Sequence, residues 1–406
     1  MAGPNGETNR MWRRPGALKP SYDVVIIGGG VHGLACAYYL AKNHGITHVA
    51  VLDRAYIGAG GSGRNTAIVR SNYRTAEGVP FYDESVKLYE GLAEDLDINV
   101  MFSQHGHLTL AHTDRGINTL RERAEMNQLL GVNSRVIFPD EIKRLVPSMR
   151  LDANHHYPVL AALYHPPGGI IRHDAVVWGY ARGADRQGIE IHPFTNVTGI
   201  TVRNGAVESV QTSRGDVRCK FVLNATAGWA STITKMVNVD IPIVTHPLQA
   251  LVTEPLKPFL DQVIVSATLH IYVNQTDRGE LVIGQEIDPY ASYSQRSTLP
   301  FLEGAAAHTL DLFPCVREVK IMRQWGGLCD MTPDYSPIMG FVEDVKGFIL
   351  DVGWGTYGFK TGPVSGKRIA ELIATGKTPD LIAPFALSRF YNDNLVGEKA
   401  AASVSQ

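Results

Sequence analysis

Apolar residues along this chain fall into two textures. Toward both ends, short continuous apolar runs alternate with segments of helical spacing; between them, apolar and polar residues alternate with a period of two. Tyr22 to Ile27, rich in β-branched residues, predicts a strand buried on both faces, and His48 to Leu52 a second one after an intervening small-residue helix. Helical spacing resumes over Phe81 to Asp95 and, on a charged amphipathic segment, over Asn118 to Leu130, with Leu108 to Ala111 a strand between them. Pro139-Asp140-Glu141 predicts a helix start capped by Asp140, and Asp174 is the expected cap of a helix running to Gln187. Ile189 to Pro193, Val197 to Val202, Val207 to Thr212 and Lys220 to Ala225 read as strands. Ile243 to Thr253, Leu269 to Asn274 and Glu280 to Gln285 alternate as antiparallel strands do. Phe348 to Val352 restores the first texture, followed by a Gly-rich loop to Lys360 and a helix over Thr361 to Thr375.

Chemistry enters at the first turn. Gly28, Gly30 and Gly33 carry the G-x-G-x-x-G spacing between a strand and a helix, and Asp53 stands twenty residues beyond Gly33 at the end of the second strand. Such a turn lets backbone approach a pyrophosphate, and the carboxylate accepts hydrogen bonds from ribose hydroxyls. The expected ligand is FAD or NAD. A second Gly-rich stretch, Gly58 to Arg70, should return toward that ligand; Gly61, Ser62, Arg64, Asn65, Thr66 and Ile68 are its candidate contacts, beside Val31, His32 and, from a later strand, Val197. Asn224 to Trp229 adds small residues after a buried strand.

Length and composition narrow the class. The 406 residues suit two domains, and 38 basic against 40 acidic residues give no sign of a polyanion-binding chain, so no nucleic-acid partner is expected. No apolar run is long enough to span a bilayer, and no membrane contact is expected. Arg10, Arg13, Arg14 and Lys19 lie in a stretch without an apolar segment, which reads as an arm over residues 1–20 rather than a secretory signal. Residues 391–406 read as a flexible tail. Cys36, Cys219, Cys315 and Cys329 lie far apart, which argues against a disulfide framework or a zinc site and fits a reducing cytoplasm; no metal site is expected.

The last sixty or so residues decide between nicotinamide and flavin. Their second Gly-rich loop and helix resemble the glutathione-reductase-type FAD fold, and Trp325 to Gly340 (WGGLCDMTPDYSPIMG) with Gly353 to Ile373 (GWGTYGFKTGPVSGKRIAELI) resemble the D-amino-acid oxidase and sarcosine oxidase superfamily over about Ser21 to Pro384. Within it the chain looks most like the β subunits of heterotetrameric sarcosine oxidases. The resemblance implies an α/β (α+β overall) architecture: an FAD-binding Rossmann domain of residues 21–105, 166–235 and 325–390, interleaved with an antiparallel-sheet substrate domain of 106–165 and 236–324. It implies non-covalent FAD, with Gly355, Gly358 and Lys360 beside the flavin, and FMN held covalently at His173, next to Arg172, in PPGGIIRHDAVVWGYARGADRQG. A histidine ring nitrogen is a suitable nucleophile toward the flavin 8α carbon.

The implied reaction oxidises sarcosine to glycine and a formaldehyde equivalent. Electrons pass from FAD to FMN and then to O₂, giving hydrogen peroxide. Arg70 and Lys360 would grip the substrate carboxylate and Tyr357 would wall the pocket. Partner α, γ and δ subunits, with tetrahydrofolate chemistry on α, belong to the same implication. Monomeric oxidases attach FAD to a cysteine where this chain has Cys329, a rival attachment point, and carry an O₂-activating lysine where it has Glu286. A carboxylate there would leave FAD slow toward O₂ and favour the second flavin as outlet. The alternatives are a single-flavin oxidase or dehydrogenase of dimethylglycine, glycine or a D-amino acid, and an assembly subunit that binds nucleotide without turnover.

Overall fold

The computed structural model describes residues 11–13 and 16–398. The first strand, Ser21–Ile27, is flanked by two parallel partners, Val217–Asn224 and Val49–Leu52. Those lead outward to Phe348–Val352 and Ile338–Phe341 on one side and to Glu190–His192 on the other. Ala206–Thr212 and Val197–Arg203 add an antiparallel ribbon to Val217–Asn224. Burial of this sheet on both faces is why its central strands read as continuous apolar runs.

Helix Val31–His44 leaves the first strand through the glycine turn. Gly28 has φ +117°, open to glycine at little cost. At Gly33 a Cβ would lie 2.1 Å from the Gly28 carbonyl oxygen, so only a missing side chain lets the helix seat on the turn. The C-terminal helix Gly362–Thr375 packs on the same helix through small residues: a Cβ on Gly366 would meet Ala35 Cβ at 2.5 Å and Cys36 N at 2.6 Å. The second sheet runs Ile321–Met331, Val244–Pro255, Glu280–Ile287, Ile271–Gln275, Val263–Ser266, His107–Ala111, Ala161–His165, Arg135–Ile137. Its pairs are antiparallel except Val263–Ser266 with His107–Ala111.

Several expectations need correction. The strand Ile321–Met331 lies wholly in the second sheet, so a domain boundary at residue 325 falls inside it. Its first four residues are exposed and its last six buried, which hides the alternation that flags an antiparallel strand. Asp140 sits in the first turn of Pro139–Leu145 and Phe138 is the cap; Asp174 likewise lies inside helix His173–Arg186, whose cap is Arg172. The helix expected from Asn118 begins at Asp114, where the Thr113 hydroxyl caps Gly116 N. Within the arm expected over residues 1–20, Arg13 pairs with Asp185 and Lys19 with Glu190; Arg10 and Arg14 lie outside the described residues. The expected tail is not uniformly loose. Val396 and Glu398 are buried, and the Glu398 carboxylate accepts from Arg74 N, Thr75 N and the Thr75 hydroxyl; residues 399–406 lie outside the described residues. Among the described residues, no helix is long and apolar enough to cross a membrane.

Candidate active site

One cavity of about 790 Å³ lies where the two sheets meet, lined from the first glycine turn to the loop before the C-terminal helix. Gly28, Gly30, Val31, His32 and Asp53 line it from the first βαβ unit, and Gly61, Ser62, Arg64, Asn65, Thr66, Ile68 and Arg70 from the second Gly-rich stretch. Val197, Gly355, Tyr357, Gly358 and Lys360 complete the residues read from sequence. Gly33 does not line it; it seats the helix, as described. Arg172 and His173 also stand outside the lining.

The glycine turn is held open by side chains from the following loops. Asp53 accepts from Gly29 N and Ala55 N, both at 2.8 Å, and Ser62 Oγ accepts from Val31 N at 2.9 Å. A Cβ at Gly30 would stand 2.9 Å from that hydroxyl, and one at Gly28 2.3 Å from the Ala225 carbonyl oxygen. This is a cradle in which backbone, not side chain, meets the ligand, and it fits a dinucleotide pyrophosphate. Asn65 Oδ1 accepts from Ala67 N, and Trp325 Nε1 donates to the Arg64 carbonyl, tying the second loop to the strand Ile321–Met331.

Farther along the cavity the charge is positive. Arg70 is buried, donates to Asn72 Oδ1 at 2.8 Å, and lies 4.3 Å over the Tyr73 ring. Arg123, also buried, grips the Asn72 carbonyl with two N–H groups; burial, then Arg70, pushes its pKa down to about 9. Lys360 is half-buried and 5.9 Å over the Tyr357 ring. Burial first, and Arg70 second, push its pKa down to about 7. Tyr357 gives its hydroxyl to the Glu398 carbonyl and packs its ring edge-on against Tyr73 and Tyr82, so it serves as wall. Helix Gly78–Leu96 anchors the loop: Ser85 Oγ donates to the Lys360 carbonyl and Tyr89 OH to that of Phe359.

Two buried residues of this region were not read from sequence. Asp330 accepts from Gly353 N and burial pushes its pKa up to about 6. His107 lines the cavity, and burial, then Arg70 and Arg123, drive its pKa well down, so it is neutral. Asp330 lies within the quoted Trp325 to Gly340 stretch, but nothing local marks a carboxylate as buried. His107 has no sequence signal, since only strand pairing with His165 and Val263 brings it here.

Glu286 does not face the cavity. Gln285 does, and Glu286 lies 2.8 Å from His270 Nδ1 on the other face of the strand, as period-two alternation requires. The cavity-facing residue of this strand is thus an uncharged amide. Cys329 lines the cavity fully buried, its thiol pushed far up by burial and therefore protonated. His173 opens helix His173–Arg186, half-buried, with its ring 6.4 Å from that of Phe359, which does line the cavity. Its Nδ1 is buried without a hydrogen-bond partner among the described residues, Asp174 being 3.8 Å away. Arg172 grips Asp174 with two N–H groups.

The family described as FAD dependent oxidoreductase matches residues 23–372. The chain belongs to that family. It is 44% identical over 388 residues to the sarcosine oxidase subunit beta of Rhizobium meliloti (strain 1021), covering 96% of this chain and 92% of that protein. To the sarcosine oxidase subunit beta of Arthrobacter sp it is 41% identical over 395 residues, with 97% of both covered. Among solved structures, L-proline dehydrogenase from P. horikoshii superposes with a TM-score of 0.88 at 28% identity, covering 93% of this chain and 100% of that one. Within the family the chain therefore groups with the sarcosine oxidase β subunits, and it is an oxidoreductase of the α/β FAD-binding fold.

Proposed function

We propose that this chain is the catalytic subunit of a sarcosine oxidase, converting N-methylglycine to glycine and a formaldehyde equivalent. The observation that carries the reading is that Arg70 and Lys360 meet in the cavity that begins at the dinucleotide turn. A guanidinium and an ammonium there fit a substrate with a carboxylate beside the carbon to be oxidised. FAD, held by the glycine cradle, would accept the hydride equivalent, and an FMN on His173 would supply the outlet of electrons to O₂, giving hydrogen peroxide.

The residues do the rest. Gly28, Gly30, Val31, His32 and Asp53 hold the nucleotide end of FAD, with Gly33 letting the helix seat on the turn; Gly61, Ser62, Arg64, Asn65, Thr66, Ile68, Val197, Gly355 and Gly358 line the remainder of its path. Arg70 and Lys360 bind and orient the carboxylate, and Tyr357, backed by Tyr73 and Tyr82, excludes water from the amine. Arg70 and the protonated form of Lys360 favour the free amine over the ammonium by cation repulsion. The buried, protonated Cys329 thiol supports FAD held without a covalent bond.

His173 Nδ1, held by no hydrogen bond within normal range and with Asp174 at 3.8 Å, supports FMN attachment, and the Phe359 ring joins its neighbourhood to the cavity. Glu286, the position the resemblance assigns to the missing lysine, pairs with His270 away from the cavity, so its charge does not bear on the flavin and the second-flavin outlet rests on His173. The sarcosine oxidase relatives are named as β subunits, which supports an assembly of unlike chains; α, γ and δ partners, tetrahydrofolate on α and a cytoplasmic setting are the rest of the same proposal.

The test is a tryptic map of the denatured chain from cells expressing the whole assembly, with sarcosine turnover measured alongside. FMN mass on the peptide containing His173 is the expected result. FAD mass on the peptide containing Cys329 would overturn the two-flavin reading.

A further inference from the structure

His32 leaves the first turn of helix Val31–His44 directly after the glycine turn and is buried. Its Nε2 lies 2.7 Å from the Gly358 carbonyl oxygen, its Nδ1 3.3 Å from Asp351 Oδ2. A carbonyl has no proton to give, so Nε2 is the donor to Gly358. Nδ1 faces a buried carboxylate that already accepts from Trp354 Nε1 at 2.9 Å and Ser365 Oγ at 2.7 Å. A neutral imidazole has one N–H, and here both nitrogens meet acceptors. The surroundings agree. The Trp354 ring lies 4.6 Å away, and the acids facing His32 are Asp351 on strand Phe348–Val352 and Asp330 on strand Ile321–Met331. Burial opposes the charge, yet Asp351, the Gly358 carbonyl and Asp330 together raise the pKa above the ordinary histidine value.

We propose that His32 is a buried imidazolium that braces the first glycine turn to the loop Gly353–Lys360 and thereby sets how tightly FAD is held. The two turns come from opposite ends of the chain, and His32 is hydrogen-bonded to one while rising from the other. Its charge sits at the start of the helix whose N-terminus would face the FAD phosphates, and adds a cation to the backbone donors there, although the helix dipole itself opposes a cation at that end. Loss of the proton removes one of the donors to Asp351 and the charge together. His32 acts through Gly358 and the turn, and is a positioning residue. The inference rests on the family's FAD and is independent of which amine is oxidised.

Two measurements test it on the full chain. Nitrogen-15 NMR of the histidine side chains should show two protonated ring nitrogens for His32 at pH 7, and Asp351→Asn should remove one. FAD release on dilution, read from recovered FAD fluorescence, should give a Kd that rises with pH between 6 and 9 in the parent. In His32→Gln it should be about tenfold weaker at pH 6 and flat with pH, the equivalent of one pKa unit of coupling. A single ring N–H on His32 at pH 7, or the same pH slope in His32→Gln, would overturn the proposal. If His32→Gln fails to fold, the NMR comparison of parent and Asp351→Asn decides alone. Loss of sarcosine turnover with an intact FAD slope would instead bear only on the proposed function.

Discussion

The lowered pKa of Lys360 makes the proposed carboxylate grip pH-dependent. Lys360 is held by the loop between strand Phe348–Val352 and helix Gly362–Thr375, and its pKa is pushed down to about 7, first by burial and then by Arg70. A lowered lysine pKa means that the cation is present below about 7 and lost above it, so affinity for an anion should fall as pH rises. If only the protonated form grips, the dissociation constant scales with the inverse of the protonated fraction and rises about tenfold between pH 6 and 8. A bound carboxylate raises the ammonium pKa in turn, and Arg70 retains part of the affinity at high pH. A substrate amine also titrates, so the ligand should be methoxyacetate, which carries an ether in its place. Binding can be followed by the perturbed flavin absorbance. The expected result is a Kd that climbs from pH 6 to 8 in the parent, and a weaker, flat Kd in Lys360→Met. A parent Kd constant within about twofold over that range, or a slope that survives Lys360→Met, would refute the placement of Lys360 on the carboxylate.

Three further outcomes follow from packing. Gly33→Val places a Cβ 2.1 Å from the Gly28 carbonyl oxygen, so the chain should purify without yellow FAD and lose about 1–3 kcal/mol of stability in urea titration. Arg389→Met leaves Asp334 buried without the fork that grips it at 2.7 and 3.0 Å, and should cost about 3–5 kcal/mol by the same assay. Gly91→Ala lies on the exposed face of helix Gly78–Leu96 with nothing within 4 Å of its Cβ, and should stabilise by about 0.5–1 kcal/mol, visible as a raised Tm.

Local chemistry made part of this protein legible. The Gly28 to Gly33 spacing, the apolar runs beside it and Asp53 all express constraints that act within one βαβ unit, so they survive in the order of residues alone. The final loop and helix, Gly353 to Thr375, are legible for the same reason. Cap positions were less so: Asp140 and Asp174 are good cap types, but the caps are Phe138 and Arg172, two residues earlier, and neither uses a side-chain hydrogen bond. The strand Ile321–Met331 escaped because half of it faces solvent on both sides and half is buried on both.

What only the tertiary structure decided lies between segments distant in sequence. The pKa values of Lys360 and Arg123 depend on burial and on Arg70. Glu398, in a stretch whose composition reads as tail, ends buried against Arg74 and Thr75 because their backbone N–H groups need an acceptor. The face of a strand is likewise a matter of register: Gln285 meets the cavity and Glu286 meets His270, a one-residue difference no motif encodes. Short-range stereochemistry is written in neighbouring residues, whereas burial and charge are properties of the surroundings, and those exist only once the two sheets have closed on each other.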